Sequence, residues 1–363
     1  MSTRIKVAVI GYGKAAFMHA EALKNIPEAE FLAVQGRDRV KANAFAAKYG
    51  AKGYDRLGEM IATEKIEVVV ICTPHPDHKA VAVEALEAGA HVLVEKPLAS
   101  SLADCDEMIK TSEKTGRKLG VVSQRRFFPS AMRMKNAIDQ GKIGKPTIGS
   151  AVLLGWRDEK YYESDGWRGT WKGEGGGVLV NQAPHQLDLL QWYMDDEIEE
   201  LFGVWKNVNH PYIEVDDTAL AILKFRNGGV ANILVSNSQK PGLYGKVHVH
   251  GSNGASVGVE TDRGAMFIAG VSSIAHPSSN DLWTIPGEEK NLAIWEAEDA
   301  KFFKTIDAIE YYIRLQDRDF ILAVLNNTEP LVSAKEGRKT VEIFTAIYRS
   351  TQDGAPVRWP INA

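Results

Sequence analysis

The sequence predicts a two-domain α/β protein: a doubly wound parallel sheet followed by an α+β domain built on a mainly antiparallel sheet. Three observations predict it. At 363 residues the chain exceeds the size at which one hydrophobic core usually stops growing. Up to about residue 123, short apolar runs alternate with amphipathic stretches, which is the rhythm of strands and crossover helices. Beyond that point the runs lengthen and turn residues separate them, as in hairpin-connected strands. The expected domains are therefore 1–123 and 124–363.

The first strand is IKVAVI, Ile5 to Ile10, followed by a helical pattern to Ile26, the strand Phe31 to Gln35 and a helix over Val40 to Tyr49. The pattern repeats with Val68 to Cys72, a helix over Lys79 to Ala88 stopped by Gly89, and His91 to Glu95. A helix over Leu102 to Thr115, stopped by Gly116, and Lys118 to Val122 complete it. These five strand segments are continuously apolar rather than alternating, so both faces of their sheet are covered by helices. After Ser123 come a helix over Ser130 to Gln140 and β-type runs including Thr218 to Phe225 and Val230 to Val235, joined by Asn227-Gly228-Gly229. Helical stretches over Ala297 to Leu325 and Ala334 to Thr351 close the chain. The β-segments outnumber the helices available to cover them, which leaves one sheet face for a partner subunit.

Composition narrows the function. Forty-three Lys and Arg stand against 47 Asp and Glu, a net charge of −4, with no basic stripe, so nucleic acid is not an expected partner. No apolar stretch reaches the length of a membrane span, and no secretory signal pattern opens the chain. The two cysteines, Cys72 and Cys105, are too few for a disulfide framework, and the expected compartment is the reducing cytoplasm.

The first chemical motif follows the first strand. Gly11-Tyr12-Gly13-Lys14-Ala15-Ala16 is the G-x-G-x-x-A form of the dinucleotide fingerprint, in its required strand-turn-helix setting, and marks the parallel sheet as a Rossmann domain. Gly11 permits the tight turn, Gly13 lets backbone approach a pyrophosphate, and Ala16 allows the helix to pack closely. The acid expected at the end of the second strand is absent, and Gln35-Gly36-Arg37 stands there instead. No carboxylate at that place repels a 2′-phosphate. Arg37 then pairs with one, stacks on adenine or stays a solvated loop residue, and Asp38 remains a second candidate for a ribose. Both NAD and NADP are permitted.

Three further segments are specific. They are Thr73-Pro74-His75-Pro76-Asp77-His78, the Glu95-Lys96-Pro97 that ends the strand from His91, and Gly175-Gly176-Gly177-Val178-Leu179-Val180-Asn181-Gln182-Ala183-Pro184-His185-Gln186-Leu187-Asp188. Together they resemble the Gfo/Idh/MocA family of glucose-fructose oxidoreductases and inositol dehydrogenases, over nearly the whole chain. The resemblance implies an N-terminal Rossmann domain, a C-terminal domain with a large open sheet, and homodimers or homotetramers built across that sheet. It also implies carbohydrate-like substrates: sugars, glycosides, inositols or nucleotide-sugars, with a ring hydroxyl such as C3 as the reacting group. For the cofactor it adds Thr73, Pro74, His75, His78, Glu95, Lys96 and Gln124 to the fingerprint residues.

The expected reacting pair is Lys96 and His185. A lysine at the carboxyl edge of a parallel sheet stands where such sheets bind ligands, and its charge stabilises a developing alkoxide. An imidazole titrates near neutrality and can carry the proton that accompanies each hydride. Asn181 is the third catalytic candidate, one turn from His185 if both lie on one helix, and equally a helix N-cap. Here the chain departs from the family pattern, which commonly has Asp at that place, so a carboxylate-backed triad is not available as such. Asp188 either buttresses His185 or faces solvent. The stretch from Trp156 to Lys172 mixes aromatic platforms with charged donors, as a sugar pocket requires, and Trp156, Trp167 and Trp171 fit a core or interface equally. The substrate candidates are Lys96, Arg126, Arg157, Tyr161, Trp167, Arg168, Asn181 and His185. The remaining histidines show no metal-ligand spacing, and metal-free hydride transfer is expected. Two other functions stay open: an NAD-dependent glycosidase that retains its cofactor, and a non-catalytic dinucleotide-binding regulator.

Overall fold

A computed structural model describes residues 4–262 and 276–361, which divide into two units. The first comprises Met1–Gln124 together with Ile309–Arg338. It contains β1 (Ile5–Ile10), α1 (Lys14–Leu23), β2 (Ala29–Gln35), α2 (Arg39–Ala47), β3 (Lys52–Tyr54), α3 (Leu57–Glu64), β4 (Val68–Ile71), α4 (His78–Glu87), β5 (His91–Val94), α5 (Leu102–Thr115) and β6 (Leu119–Val121). The strands form one six-stranded sheet in the order β3-β2-β1-β4-β5-β6, with every pair parallel. This is the doubly wound order whose direction reverses between β1 and β4, so the ends of those strands form its ligand-binding crevice. The sequence missed β3, because three residues carry no readable periodicity.

The second unit comprises Arg125–Ala308 and Lys339–Asn362. It opens with α6 (Pro129–Asp139), β7 (Pro146–Leu154), α7 (Glu159–Glu163), α8 (Trp171–Glu174), α9 (Val178–Asn181) and α10 (Pro184–Met194). Then follow β8 (Ile198–Lys206), β9 (Thr218–Phe225), β10 (Val230–Ser236), β11 (Tyr244–Gly251), β12 (Ser256–Glu260), β13 (Ser279–Trp283) and α11 (Asn291–Phe303). After α12 (Ala308–Asn326) and α13 (Ala334–Asp353), β14 (Val357–Arg358) ends the chain. The sheet has eight strands in the order β13-β12-β11-β7-β10-β9-β8-β14, antiparallel except where β7 meets β10. The expected hairpin between β9 and β10 forms at Asn227-Gly228-Gly229, with Val230 paired to Lys224.

One expectation fails. The domain boundary is not a single cut at 123/124, because Ile309–Arg338 belongs with the N-terminal unit. Ile313, Phe320 and Ile321 of α12 join Val7, Val9, Leu23, Val34 and Leu93 in one buried cluster. The long helical stretch expected from Ala297 is also two helices, α11 and α12, separated near Thr305.

In β8, β9 and β10 the burial alternates residue by residue, one face turned to the core and one to solvent. The outward face carries apolar pairs: Phe202 lies opposite Ile222, Val204 opposite Leu220, and Val230 opposite Ile148, all exposed.

Candidate active site

In the N-terminal unit the turn between β1 and α1 is shaped for an anion. Gly11 has φ +112°, and a Cβ there would sit 2.9 Å from the Cys72 carbonyl oxygen. Gly13 caps α1 without a side-chain bond, and a Cβ built on it meets no atom within 4 Å. The start of α1 is thus open beside Gly13, and the unpaired N–H groups of a helix's first turn suit a pyrophosphate. Thr73 Oγ1 and Gln124 Oε1, two further residues expected at the cofactor, are buried without a hydrogen-bond partner among the described residues. A bound dinucleotide would satisfy such atoms.

Around the adenosine end, Arg37 is exposed and Asp38 is committed elsewhere. Its carboxylate accepts from Val40 N–H at 3.0 Å and Lys41 N–H at 3.1 Å, capping α2. Lys14 is exposed, and Tyr12 and Ala15 are half-buried. Tyr12 lies over Gly36, where an added Cβ would run into its ring.

At the other end of the crevice, His78 takes a role different from the expected one. It is fully buried, and its ring nitrogens face the carbonyls of Pro97 at 2.9 Å and Thr73 at 3.0 Å. Burial lowers its pKa, so the ring is a neutral tie between the loops after β4 and β5. His75 is buried beside it, ring to ring at 5.8 Å. Glu95 turns inward as well: Oε2 accepts from the Lys96 N–H at 3.0 Å and Oε1 meets His19 Nε2 at 3.2 Å. Lys96 is half-buried at the carboxyl end of β5.

Sequence reasoning missed His19. It lies on α1, fully buried, with Nδ1 2.9 Å from each carboxylate oxygen of Asp317 on α12. Burial opposes its charge, but Asp317 and Glu95 outweigh it and hold the pKa up to about 10. Burial works against Glu95 too, yet the hydrogen bond from His19 keeps its pKa below the ordinary value.

In the C-terminal unit the glycine run is packed against Asp216. A Cβ at Gly177 would overlap the Asp216 carbonyl oxygen, so that position admits only glycine. The Asp216 carboxylate accepts from Gly177 N–H at 2.8 Å, Leu179 N–H at 2.9 Å and the Tyr348 hydroxyl at 2.6 Å. This fixes α9 and, at its end, Asn181. Asn181 is not an N-cap, and it is not on one helix with His185: α9 stops at Asn181 and α10 starts at Pro184, capped by Ala183. His185 follows Pro184 in the first turn of α10 and is buried.

The Asn181 amide donates from Nδ2 to the Tyr161 hydroxyl at 3.2 Å and to Glu174 Oε1. Tyr161 also accepts from Gln182 Nε2 at 2.9 Å and Arg168 Nη1 at 2.5 Å. The Arg168 guanidinium lies 4.4 Å from the ring centres of both Tyr161 and Trp167, and that of buried Arg157 lies 5.2 Å from Tyr161. Five of the substrate candidates, Arg157, Tyr161, Trp167, Arg168 and Asn181, are thus gathered in one cluster. Glu174 is its unforeseen member.

Two expectations are corrected here. Asp188 does not face solvent: it is buried and receives both Nε and Nη2 of Arg126, at 2.9 and 2.7 Å. Arg126 is therefore 2% exposed, stacked over Trp192 and held by a buried carboxylate, which is the geometry of a packing element rather than a substrate arm. Arg125 similarly binds Asp262 and Gln186. Trp171 packs edge-on against Trp205 and Tyr348, and Trp156 against His210. His210 and His248 each have one carboxylate partner, Asp217 and Asp281, and no group of three metal-ligating side chains occurs among the described residues. No described helix is long and apolar enough to cross a membrane.

Comparison with known proteins gives concordant results. The sequence profile described as "Oxidoreductase family, NAD-binding Rossmann fold" matches residues 5–123, and that of the "GFO/IDH/MocA C-terminal domain" matches residues 131–257. The inositol 2-dehydrogenase of Rubrobacter xylanophilus is 31% identical over 230 residues, a stretch that spans 63% of this chain and 63% of that relative. The scyllo-inositol 2-dehydrogenase (NAD(+)) of Bacillus subtilis is 25% identical over 99% of this chain and 97% of its own. Among solved structures, the WlbA dehydrogenase of Bordetella pertussis, in complex with NADH and UDP-GlcNAcA, superposes with a TM-score of 0.86 at 26% identity, covering 100% of this chain and 99% of that one.

Proposed function

The chain belongs to the Gfo/Idh/MocA oxidoreductase family, and from that premise we propose that it moves hydride between NAD(P) and a secondary hydroxyl of a carbohydrate-like substrate. The observation that carries the reading is Lys96, placed at the carboxyl end of β5 beside an ionised Glu95, in a sheet whose β1–α1 turn opens onto space for a pyrophosphate. Within the substrate class, likeness to a dehydrogenase held with UDP-GlcNAcA over the full chain favours a nucleotide-sugar over a free inositol. The aromatic and guanidinium groups around Tyr161 suit the apolar faces and hydroxyl rims of a sugar ring.

When bound, the nicotinamide supplies the hydride acceptor or donor. Lys96 donates a hydrogen bond to the substrate oxygen and offsets the negative charge that grows there as hydride leaves carbon. His185 accepts the hydroxyl proton in oxidation and returns it in reduction, so one proton moves with each hydride. Asn181 receives a neighbouring hydroxyl. Second copies of the chain cover the apolar outer face of the C-terminal sheet, giving a homodimer or homotetramer.

The test is a screen of nucleotide-sugars, sugars and inositols with NAD and with NADP, followed by absorbance of the reduced nicotinamide. Turnover is expected with at least one nucleotide-sugar. Bound cofactor with no redox turnover on any of them overturns the proposal, and release of free sugar at constant reduced cofactor converts it into a redox glycosidase.

A further inference from the structure

Position 181 carries an amide where a carboxylate is common, and a buried carboxylate reaches it from elsewhere in the chain. Glu174 closes α8 and is 1% exposed. Its Oε2 accepts from the Gly169 N–H at 2.7 Å, and its Oε1 accepts from Asn181 Nδ2. An ionised carboxylate only accepts, so the amide must turn its nitrogen toward Glu174. The second hydrogen of that nitrogen goes to the Tyr161 hydroxyl. The amide thus carries Oδ1, an acceptor, on the side turned away from Glu174.

At the other end of the cluster, N–H groups of Arg168, Gln182 and Asn181 all lie within hydrogen-bond distance of the single Tyr161 oxygen. With Glu174 ionised, the Asn181 nitrogen faces Tyr161, and the three donors share the two lone pairs of its oxygen. Buried contacts of this kind hold each member in place.

We propose that Glu174 is a positioning residue of the active site, which locks the Asn181 amide so that Oδ1 accepts a hydroxyl hydrogen of the substrate. This rests on the dehydrogenase reading above. An oxygen acceptor at position 181 is what a carboxylate there would present directly; here it is an amide oxygen, with the negative charge held one residue further back.

Glu174 also makes the lock sensitive to pH. Burial raises its pKa to about 7, against the hydrogen bonds from Gly169 and Asn181 and the charge of Arg168, while Asp216 pushes upward with burial. The phenols of Tyr161, Tyr162 and Tyr348 interact with it as well, all pushed up by burial and neutral through this range. Protonated Glu174 can donate, so the amide is no longer held one way round, and substrate binding weakens on the acid side.

The experiment compares wild type with Glu174→Gln, Asn181→Asp and the double variant, measuring kcat and KM from about pH 5 to 9. Glutamine keeps an acceptor for Gly169 and preserves the loop, but turns a donor toward Asn181 and so reverses its amide. Glu174→Gln is expected to raise KM about tenfold, with a smaller loss in kcat, and to lose the inflection near neutrality. In the double variant the carboxylate introduced at position 181 accepts from the glutamine, the acceptor is restored, and KM returns to within about threefold of wild type. A wild-type KM and inflection in Glu174→Gln, or a double variant no better than that single one, overturns the proposal. Asn181→Asp alone sets two carboxylates together and is expected to move the acid limb upward. Should the wild type turn over no substrate, the redox reading fails by itself, and carbon-13 titration of the Glu174 carboxyl decides this one. A midpoint near 7 with a parallel shift of the Asn181 side-chain amide supports the lock; an ordinary carboxylate midpoint with no amide response overturns it.

Discussion

Asp317 holds His19 through both carboxylate oxygens, each 2.9 Å from Nδ1, although the two residues are 298 positions apart. With Glu95 on the other ring nitrogen, the imidazole sits between two buried acids. Removing it leaves those acids facing each other, and breaking a buried pair in this way costs about 3–5 kcal/mol. His19→Gln should therefore lower the unfolding midpoint in urea substantially. The pH dependence follows from the raised pKa. The folded protein holds the His19 proton more tightly than the unfolded chain, so the stabilisation is complete below pH 6.5 and is lost as pH rises toward about 10. The gap between wild type and His19→Gln should narrow over that interval. A gap independent of pH would rule out a charged imidazole.

This pair also marks where the sequence stopped being legible. Continuous apolar runs and Gly11-x-Gly13 exposed the parallel sheet because strand, turn and helix are local properties, whereas the apolar stripe of α12 shows only that it packs, not on which sheet. The return of Ile309–Arg338 to the first unit was therefore hidden. Asn181 stands out in the sequence, but its place at the end of a separate short helix does not. Pro184 fits the first turn of a helix and Asn181 has a capping side chain, a combination that reads the same whether one helix runs through or two meet at Ala183. Glu174 escaped notice because a seven-residue interval across a glycine loop has no helical or strand meaning.

Lys96 and His185 carry unequal loads in the proposed reaction. Lys96→Ala should abolish hydride transfer while the protein still binds dinucleotide, measured by quenching of its tryptophan fluorescence. His185→Ala should slow turnover by about 10²-fold, the usual scale of a lost acid–base group. Unchanged rates in both variants would remove them from the mechanism.

Arg37 should decide acceptance of the phosphorylated cofactor. The Asp38 carboxylate is turned to capping α2 and Gln35 is neutral, so neither is held out as a carboxylate acceptor for the ribose at the end of β2. A charge-assisted bond from an arginine contributes about 1.5–3 kcal/mol. Arg37→Ala should raise the KM for NADP by roughly tenfold or more and change that for NAD by less than about twofold. Equal effects on both cofactors would assign Arg37 to the adenine ring instead.

The outer face of the C-terminal sheet should hold a second copy of the chain. Phe202 beside Ile222 and Val204 beside Leu220 form two adjacent apolar cross-strand pairs, and Leu234 and Val152, both half-buried, continue the row of Val204 and Leu220 across two more strands. Scattered apolar residues are ordinary on a protein surface, but a contiguous patch in register across four strands marks an interaction site. An arginine at its centre must either be buried without a partner or keep the copies apart, and a two-fold axis would place that cost in the interface twice. Ile222→Arg should therefore convert the oligomer to monomers in sedimentation equilibrium at micromolar concentration, while its circular dichroism spectrum stays that of the wild type because the side chain points away from the core. A wild type that sediments as a monomer, or an Ile222→Arg protein that remains associated, would show that the sheet face is covered in some other way.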